Sequence, residues 1–366
     1  MVSILILASY SVKESCYRFI SEHYEKGEKG QALSFPFKDK YKKNGKHQHT
    51  VSLYLMGLIL KRTFTCMIKS KLGEFIDDLS EWYSYEYTWY LTCLYHDAAS
   101  CIEQNDCETP QSLCGFLNKM DIRYYPGMPC FLGHRVKAPL RFSRDVISAY
   151  YNYRREINKS QEHGIIAGYL LYDKLLYDFN SYTEKGTLLC NGVYTDRKKH
   201  LDCRFSHIDH FEYIADAIIC HNIWLCTKET DIKNYKKYGL NKLIVKSNGD
   251  KLSIDKYPLQ FLLCLLDTIE PIKRFDKLPP EEVLKNISLE DISRQEDKKR
   301  EYTLRLKWTS KIEKQGVFSR WRDSILDMES WLNVKVSPCR CDGDECFVDI
   351  QISTRRRSPH STMPRK

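Results

Sequence analysis

The chain has 366 residues, 42% of them hydrophobic and 13% aromatic, which predicts a folded protein of one large and one small domain or two medium ones. This composition excludes an intrinsically disordered chain, and no apolar run is long enough to span a bilayer. The formal net charge is +9, but the terminal TRRRSPHSTMPRK holds five positive charges and no acid, so we expect a mildly basic body, compatible with an anionic small substrate.

The first residues, MVSILILASY, hold a short apolar run with no basic residue ahead of it. This pattern predicts a buried strand or helical turn and not a signal peptide. From about residue 10 to residue 275 the apolar periodicity is helical. The amphipathic runs cover residues 51–60, 82–94, 165–179, 211–225 and 259–269. Two long polar segments, 103–144 and 180–207, predict lids, binding loops or small subdomains, with a short strand near 188–194.

The periodicity changes after a charged, proline-bearing helix and linker at 276–300. LRLKW and FVDIQI alternate apolar and charged residues, which predicts two half-buried strands. Between them, the apolar residues from Phe318 to Leu332 follow helical spacing. The predicted fold is therefore mainly α, with a helical domain over 1–275 and a small α+β unit over 301–353. A basic tail at 354–366 is predicted to be disordered.

Fifteen cysteines are present, and many lie inside apolar helical runs. We therefore expect buried free thiols in a protein of the reducing cytoplasm. Cys339, Cys341 and Cys346 are clustered, but at spacings unlike those of common zinc modules. A strand, turn and strand around DGD is the preferred interpretation of this segment, and a zinc site is the alternative.

Six histidines and aspartates interrupt apolar helical runs, each at one end of its run. They are His49, His96, Asp97, His163, His221 and Asp267. Burying an ionised aspartate is costly unless it is paired, hydrogen-bonded or bound to metal, and histidine with carboxylate suits borderline divalent cations. We predict that five helices bring these residues together around one or two divalent transition-metal ions: Mn, Fe, Ni, Co or Zn.

Taken alone, each of these residues is more often a satisfied core or capping residue, and the order and apolar context carry the prediction. His47 competes with His49, which is preferred because it abuts the apolar stripe of its run. His207 and His210 are interpreted as surface or loop residues.

The order His, His-Asp, His, His, Asp resembles the HD superfamily of metal-dependent phosphohydrolases, and LYHDAA holds the doublet that names it. The resemblance covers about residues 40 to 275. It implies that His49, His96, Asp97 and Asp267 bind one metal. His163 would join a second metal, with Asp97 bridging the two.

His221 is the other implied ligand of that second metal.

EHGIIAGYLLYD and LLDTIEP look like an HD branch found beside bacterial anti-phage genes. The implied activity is hydrolysis of a phosphoester or phosphoanhydride of a nucleotide or nucleotide derivative in the cytoplasm. An activated water would attack phosphorus in line, with Asp97 and His163 as catalytic residues.

Two departures from the family argue against hydrolysis of cyclic dinucleotides. Many HD phosphodiesterases carry a lysine shortly after the doublet, and here Ser100 stands at that position. The pair of consecutive histidines that marks another branch of the family is absent from this sequence, because Asn222 follows His221. Neither departure affects the predicted metal ligands.

A tyrosine-interleaved basic series lies between residues 134 and 159, and within it Arg154 and Arg155 are predicted to bind substrate phosphate. A solvated helix face is the alternative. Glu162 is expected to accept a ring N–H of a metal-binding histidine, and Gly164 to leave room beside metal or substrate. Alternative functions are a nuclease on single-stranded nucleic acid and a non-catalytic nucleotide sensor.

Overall fold

A computed structural model of the chain describes residues 48–61, 85–100, 112–123, 126, 141–184, 210–275, 277–294 and 301–353. The predictions for the first ten residues, for the strand near 188–194 and for the tail at 354–366 concern residues outside these ranges. His47 and His207 also lie outside them.

The larger part of the described structure is helical, as predicted. Its helices are α1 (48–61), α2 (Tyr85–Tyr95), α3 (Leu113–Lys119), α4 (Arg144–Ile157), α5 (His163–Glu184), α6 (210–221), α7 (Glu229–Lys237) and α8 (Pro258–Ile269). α3 lies inside a segment predicted as a lid, a binding loop or a small subdomain, and α6 ends four residues earlier than its apolar run. In the described part of the chain, no helix combines the length and apolarity needed to cross a membrane.

α8 shows how the sequence places a polar residue at a helix end. Pro258 starts the helix at a position where its missing N–H is not needed, and Pro271 follows its end. Its central residues, FLLCLL, are all buried, so the helix lies in the core on every side. Asp267 in the last turn has a side chain 15% exposed.

α5 and α6 pack so closely that two positions of α5 require glycine. A Cβ atom on Gly168 would lie 2.5 Å from Ile219 Cγ1 and 2.8 Å from the Ala215 carbonyl oxygen. A Cβ atom on Gly164 would lie 2.8 Å from Cε1 of the His221 ring. The predicted role of Gly164 is therefore corrected, because it makes room for His221 itself.

The C-terminal unit, residues 280–353, is a small α+β unit with an antiparallel sheet. Its elements are α9 (Pro280–Asn286), β1 (Ile287–Arg294), β2 (Glu301–Thr309), α10 (Ser310–Glu313), α11 (Phe318–Trp331), β3 (Val334–Val336), β4 (Arg340–Asp342) and β5 (Glu345–Ser353). The strand order is β1-β2-β5-β3, and β4 pairs with β5. Burial alternates along β2, so Trp308 faces Phe318 and Trp321 of α11.

The structure differs from the predicted linker at 276–300. This segment contains the expected helix, α9, but also β1, which pairs with β2. The register shifts between Leu289 and Asp291, and this irregularity interrupts the alternation that would have indicated a strand. One continuous hydrophobic core includes both the helical part and the C-terminal unit. The Leu252 N–H, for example, donates to the Trp331 carbonyl oxygen at 2.9 Å.

The clustered cysteines lie on a hairpin, as preferred in the sequence interpretation. β4 and β5 are joined by a tight turn in which Gly343 has a φ of 59°. Cys341 and Cys346 form a disulfide across the two strands, so the expectation of free thiols is wrong for this pair. The buried thiols of Cys93 and Cys220 are free as expected.

Candidate metal centre

The predicted metal ligands all lie at helix ends that converge on one region. They are His49 in the first described turn of α1, His96 and Asp97 directly after α2, His163 at the start of α5, His221 at the end of α6, and Asp267 in the last turn of α8. Five of the six are buried, and Asp267 is mostly buried. Distant segments of sequence therefore contribute to one polar cluster inside an apolar core.

His49, His96 and Asp267 form one potential metal site, with ligand atoms all within 4.8 Å of one another. His49 Nε2 lies 3.0 Å from His96 Nε2 and 3.0 Å from Asp267 Oδ1. The third separation, from His96 Nε2 to Asp267 Oδ1, is 3.7 Å. Two donors that each bind one ion at about 2.1 Å lie about 3.0–3.4 Å apart at ordinary bond angles. Two of the three separations fall in this range.

Asp97, His163 and His221 form a second potential metal site beside the first. His163 Nε2 lies 3.0 Å from Asp97 Oδ1. The other oxygen, Asp97 Oδ2, lies 3.8 Å from His49 Nε2 and 3.7 Å from His96 Nε2. The two oxygens of Asp97 therefore face different groups of donors, which is the arrangement that a bridging carboxylate needs.

Three of the histidines are oriented by an acceptor at Nδ1, which directs Nε2 towards the cluster. His96 Nδ1 lies 2.8 Å from the Cys93 carbonyl oxygen, and His221 Nδ1 lies 2.5 Å from that of Ile218. His49 Nδ1 lies 2.7 Å from Oε2 of the fully buried Glu270. Histidines that bind metals are commonly held this way by an acceptor on the other ring nitrogen.

His221 Nε2 supplies the observation by which the fit of a metal can be tested. This nitrogen is buried, and no described residue provides it with a hydrogen-bond partner. Leaving such a nitrogen unsatisfied in a dry interior is costly. Burial, and then the neighbouring His96 and His163, lower the pKa of His221 to about 3, so its ring is neutral at pH 7. A neutral, oriented and unsatisfied imidazole fits a divalent transition metal.

The pKa values of the other ionisable groups in the cluster are shifted in different directions. Burial lowers the pKa of His96, so this ring also favours its neutral form. Burial opposes protonation of His49 too, but the Glu270 charge together with hydrogen bonds to Asp267 and Glu270 outweighs it and raises the pKa of His49. Burial alone would raise the pKa of Asp267, yet Lys273 and the His49 hydrogen bond hold it well below its usual value. Asp267 is therefore an anion at neutral pH.

Sequence reasoning missed Glu270 and Lys273, which lie in the turn after α8. Glu270 Oε2 accepts from His49, as described above, and Lys273 Nζ lies 3.0 Å from Asp267 Oδ1 and 3.3 Å from Asp97 Oδ2. Periodicity assigns no face to residues outside a helix. Their position in the sequence was a usable signal. Charged residues that come just after a helix lie near a predicted ligand in the last turn of that helix.

His163 contacts Asn222, the residue after His221 that departs from the family pattern. The Asn222 side-chain amide Nδ2 lies 2.9 Å from His163 Nε2. The Tyr150 hydroxyl donates to the Asn222 carbonyl oxygen at 3.1 Å, so α4 helps to hold this turn. His163 thus lies between Asp97 and a side-chain amide.

The contacts of Arg154 differ from those of a solvent-facing phosphate clamp. Its Nε lies 3.0 Å from Oε2 of the buried Glu162, and its guanidinium carbon lies 4.6 Å above the Trp224 ring. Glu162 therefore pairs with an arginine, and the outer acceptor role expected of it is filled by Glu270 for His49. Arg155 is partly exposed on the same helix. Phosphate binding by these arginines stays a prediction.

The prediction that His210 is a surface or loop residue is wrong. His210 is fully buried at the start of α6, and its Nε2 lies 2.8 Å from the Thr88 hydroxyl.

Comparisons of the chain with protein families, with curated proteins and with solved structures find no match. The function of the cluster must therefore be judged from its own geometry and chemistry.

Proposed function

We propose that this protein is a divalent-metal-dependent phosphohydrolase of the HD type, acting on a phosphoester or phosphoanhydride of a nucleotide or nucleotide derivative. The single observation that carries the proposal is the position of Asp97, with Oδ1 3.0 Å from His163 and Oδ2 3.8 Å from His49. One carboxylate between two groups of histidine and aspartate donors is suited to a site of two metals, or to one metal and a substrate.

The residues that would hold the metal are the two groups already described. His49, His96 and Asp267 would form one set of ligands, and Asp97, His163 and His221 the other. When bound, divalent metals act as Lewis acids towards phosphoryl oxygens and lower the pKa of water. The nitrogen and carboxylate donors suit Mn, Fe, Co, Ni or Zn.

The chain's own groups would orient the reactants in a site with little water. Asp97 is fully buried and its Oδ1 lies 3.0 Å from His163 Nε2, so its oriented carboxylate would accept a hydrogen bond from an attacking water. The side chain of His163 is 8% exposed and its Nε2 contacts Asp97, so this ring would meet a substrate oxygen beside that carboxylate. Burial of these groups strengthens their electrostatic interaction with developing charge.

An exposed aromatic ring near the cluster supports a nucleotide as substrate. Trp224 is 56% exposed and follows His221 by three residues, so their Cα atoms are at most about 11 Å apart. The Tyr150 hydroxyl accepts from the Trp224 N–H at 3.1 Å, which holds the Trp224 backbone in place. A fixed aromatic surface beside a phosphate site suits stacking by a base.

The segments EHGIIAGYLLYD and LLDTIEP support a role in cytoplasmic anti-phage defence, because they resemble the HD branch found beside bacterial anti-phage genes.

The test is hydrolysis by the full chain, stripped of metal and reconstituted with Mn²⁺. The substrates are nucleoside triphosphates, cyclic nucleotides, single-stranded oligonucleotides and bis-p-nitrophenyl phosphate. We expect metal-dependent turnover that falls at least about 100-fold in Asp97→Asn and is unchanged in Asp145→Asn, a control acid exposed on α4.

Each other outcome has a defined meaning. Turnover of oligonucleotides alone, with steeply salt-dependent binding, would identify a nuclease. A metal-loaded wild type that binds nucleotide and hydrolyses none of these substrates would contradict the proposal and favour a sensor. Full activity in Asp97→Asn would show that the catalytic centre lies elsewhere.

A further inference from the structure

The ammonium group of Lys273 joins the carboxylates of the two potential metal sites. Its Nζ lies 3.3 Å from Asp97 Oδ2, and 3.0 and 3.3 Å from the two oxygens of Asp267. Each potential site contains one of these two aspartates. One monovalent cation therefore contacts the acidic ligand of both groups at once.

Lys273 is held in this position by the same carboxylate that orients a ligand histidine. The Lys273 backbone N–H donates to Glu270 Oε2 at 3.1 Å, and the Ile272 N–H donates to Glu270 Oε1 at 3.1 Å. Glu270 Oε2 also lies 2.7 Å from His49 Nδ1. The side chain of Lys273 is only 17% exposed. The lysine is thus built into the cluster and is not a mobile surface group that reaches it by chance.

A divalent cation at the group of His49, His96 and Asp267 competes with this ammonium group for Asp267 Oδ1 and for Asp97 Oδ2, the Asp97 oxygen that faces that group. Two carboxylates in a desolvated cluster need a nearby positive charge, which Lys273 provides in the metal-free chain. A metal ligated by Asp97 or Asp267 needs those oxygen lone pairs, and its charge repels an ammonium group within a few ångströms.

We propose that Lys273 is an internal counter-ion that competes with the metal for Asp97 and Asp267, so that it stabilises the metal-free cluster and weakens metal binding. This inference rests on the proposed metal site, and it sets the sign of two measurements in opposite directions. Replacing Lys273 by a neutral residue raises metal affinity and lowers the stability of the metal-free chain. A lysine with a purely structural role would lower both.

The experiment measures Mn²⁺ affinity by calorimetry and metal-free thermal stability on the full chain. The variants are wild type, Lys273→Met, Lys273→Gln and Lys273→Arg, with Lys277→Met as a matched control for loss of an exposed positive charge. We expect Lys273→Met and Lys273→Gln to bind Mn²⁺ at least about tenfold more tightly, with a lower metal-free Tm. Lys273→Arg and Lys277→Met should bind Mn²⁺ as the wild type does.

Unchanged or weaker Mn²⁺ binding in a folded neutral variant would overturn the proposal. If Lys273→Met folds only in the presence of Mn²⁺, Lys273→Gln provides the affinity comparison, and the metal requirement itself supports the counter-ion role. Binding in a neutral variant but not in the wild type would support it most strongly. Absence of binding in every protein would overturn the metal site, and with it the proposed function.

Discussion

Buried aspartates are neutralised differently in the helical part and in the C-terminal unit. In the C-terminal unit, Asp349 faces two guanidinium groups, with Arg305 Nε at 2.7 Å and Arg340 Nη2 at 2.6 Å. The hydrogen bond from Arg305 is the main cause of the lowered pKa of Asp349. In the helical part, Asp97 and Asp267 share one lysine.

The difference separates a structural charge from a candidate ligand site. At Asp349 one carboxylate meets two cations on neighbouring strands, so its charge is satisfied within the sheet. The helical cluster also contains Glu270, and its His96 and His221 rings favour the neutral form. A cluster of three acids and neutral imidazoles around one lysine is compatible with a bound divalent cation.

The largest expected effect contrasts an aspartate from each region. Asp97→Ala should reduce Mn²⁺ affinity by more than the 10- to 100-fold that loss of an outer partner usually causes, because it removes a proposed ligand itself. Asp349→Ala should leave Mn²⁺ affinity unchanged and lower the free energy of unfolding by about 1–2 kcal/mol, since its arginines are partly exposed. Calorimetry and urea denaturation measure the two quantities. Equal effects of both variants on Mn²⁺ affinity would contradict the distinction between a candidate ligand and a structural charge.

A smaller effect on metal binding is expected from Glu270. Glu270→Gln removes the negative charge that orients and polarises His49, and should weaken Mn²⁺ binding about 10- to 100-fold. Calorimetry at pH 8 measures this affinity. Glu229→Gln, an exposed acid in the first turn of α7, is the matched control. An affinity equal to that of the control would show that Glu270 does not support the metal site.

Asp216 on α6 offers a third way to neutralise a buried aspartate, which is protonation. Burial raises its pKa to about 7, despite hydrogen bonds from the Arg141 N–H and the Cys220 thiol. Because the folded pKa exceeds the unfolded value of about 3.9, the stability from protonation is full below about pH 4. It is lost as the pH rises through about 7.

Asp216→Asn keeps an acceptor for the Arg141 N–H but cannot ionise. Between pH 5 and pH 8 it should lose about 2–3 kcal/mol less stability than the wild type, at about 1.4 kcal/mol per pH unit. Urea denaturation across this range tests it, with the exposed Asp145→Asn as control. Parallel pH profiles for wild type and Asp216→Asn would show that Asp216 is not protonated in the folded protein.

Much of the candidate site was predictable, because a histidine or aspartate at the end of an apolar helix is buried only when a partner or a ligand compensates for its burial. His96 and Asp97 follow α2 and His163 begins α5, as the pattern predicts. Lys273 and Glu270 were not predictable by periodicity, since both belong to a turn. Nor could periodicity show that Gly164 makes room for the His221 ring, because that contact joins two helices.

The fold shows the same division between local pattern and long-range contact. The alternation in β2 and β5 identified two strands, whereas the irregular register after Leu289 concealed β1. His210 was misplaced because one histidine at a helix start carries no signal of burial, and its contact with Thr88 joins residues far apart in sequence.

The most direct test of the central claim is a crystal structure of the full chain grown with Mn²⁺, with anomalous scattering measured for the metal. The account predicts an anomalous peak at bonding distance from His49, His96 and Asp267, from Asp97, His163 and His221, or from both groups. Lys273 should then have left the carboxylate of each occupied group. Density with no metal at either group, and with Lys273 still bonded to Asp97 and Asp267, would contradict it.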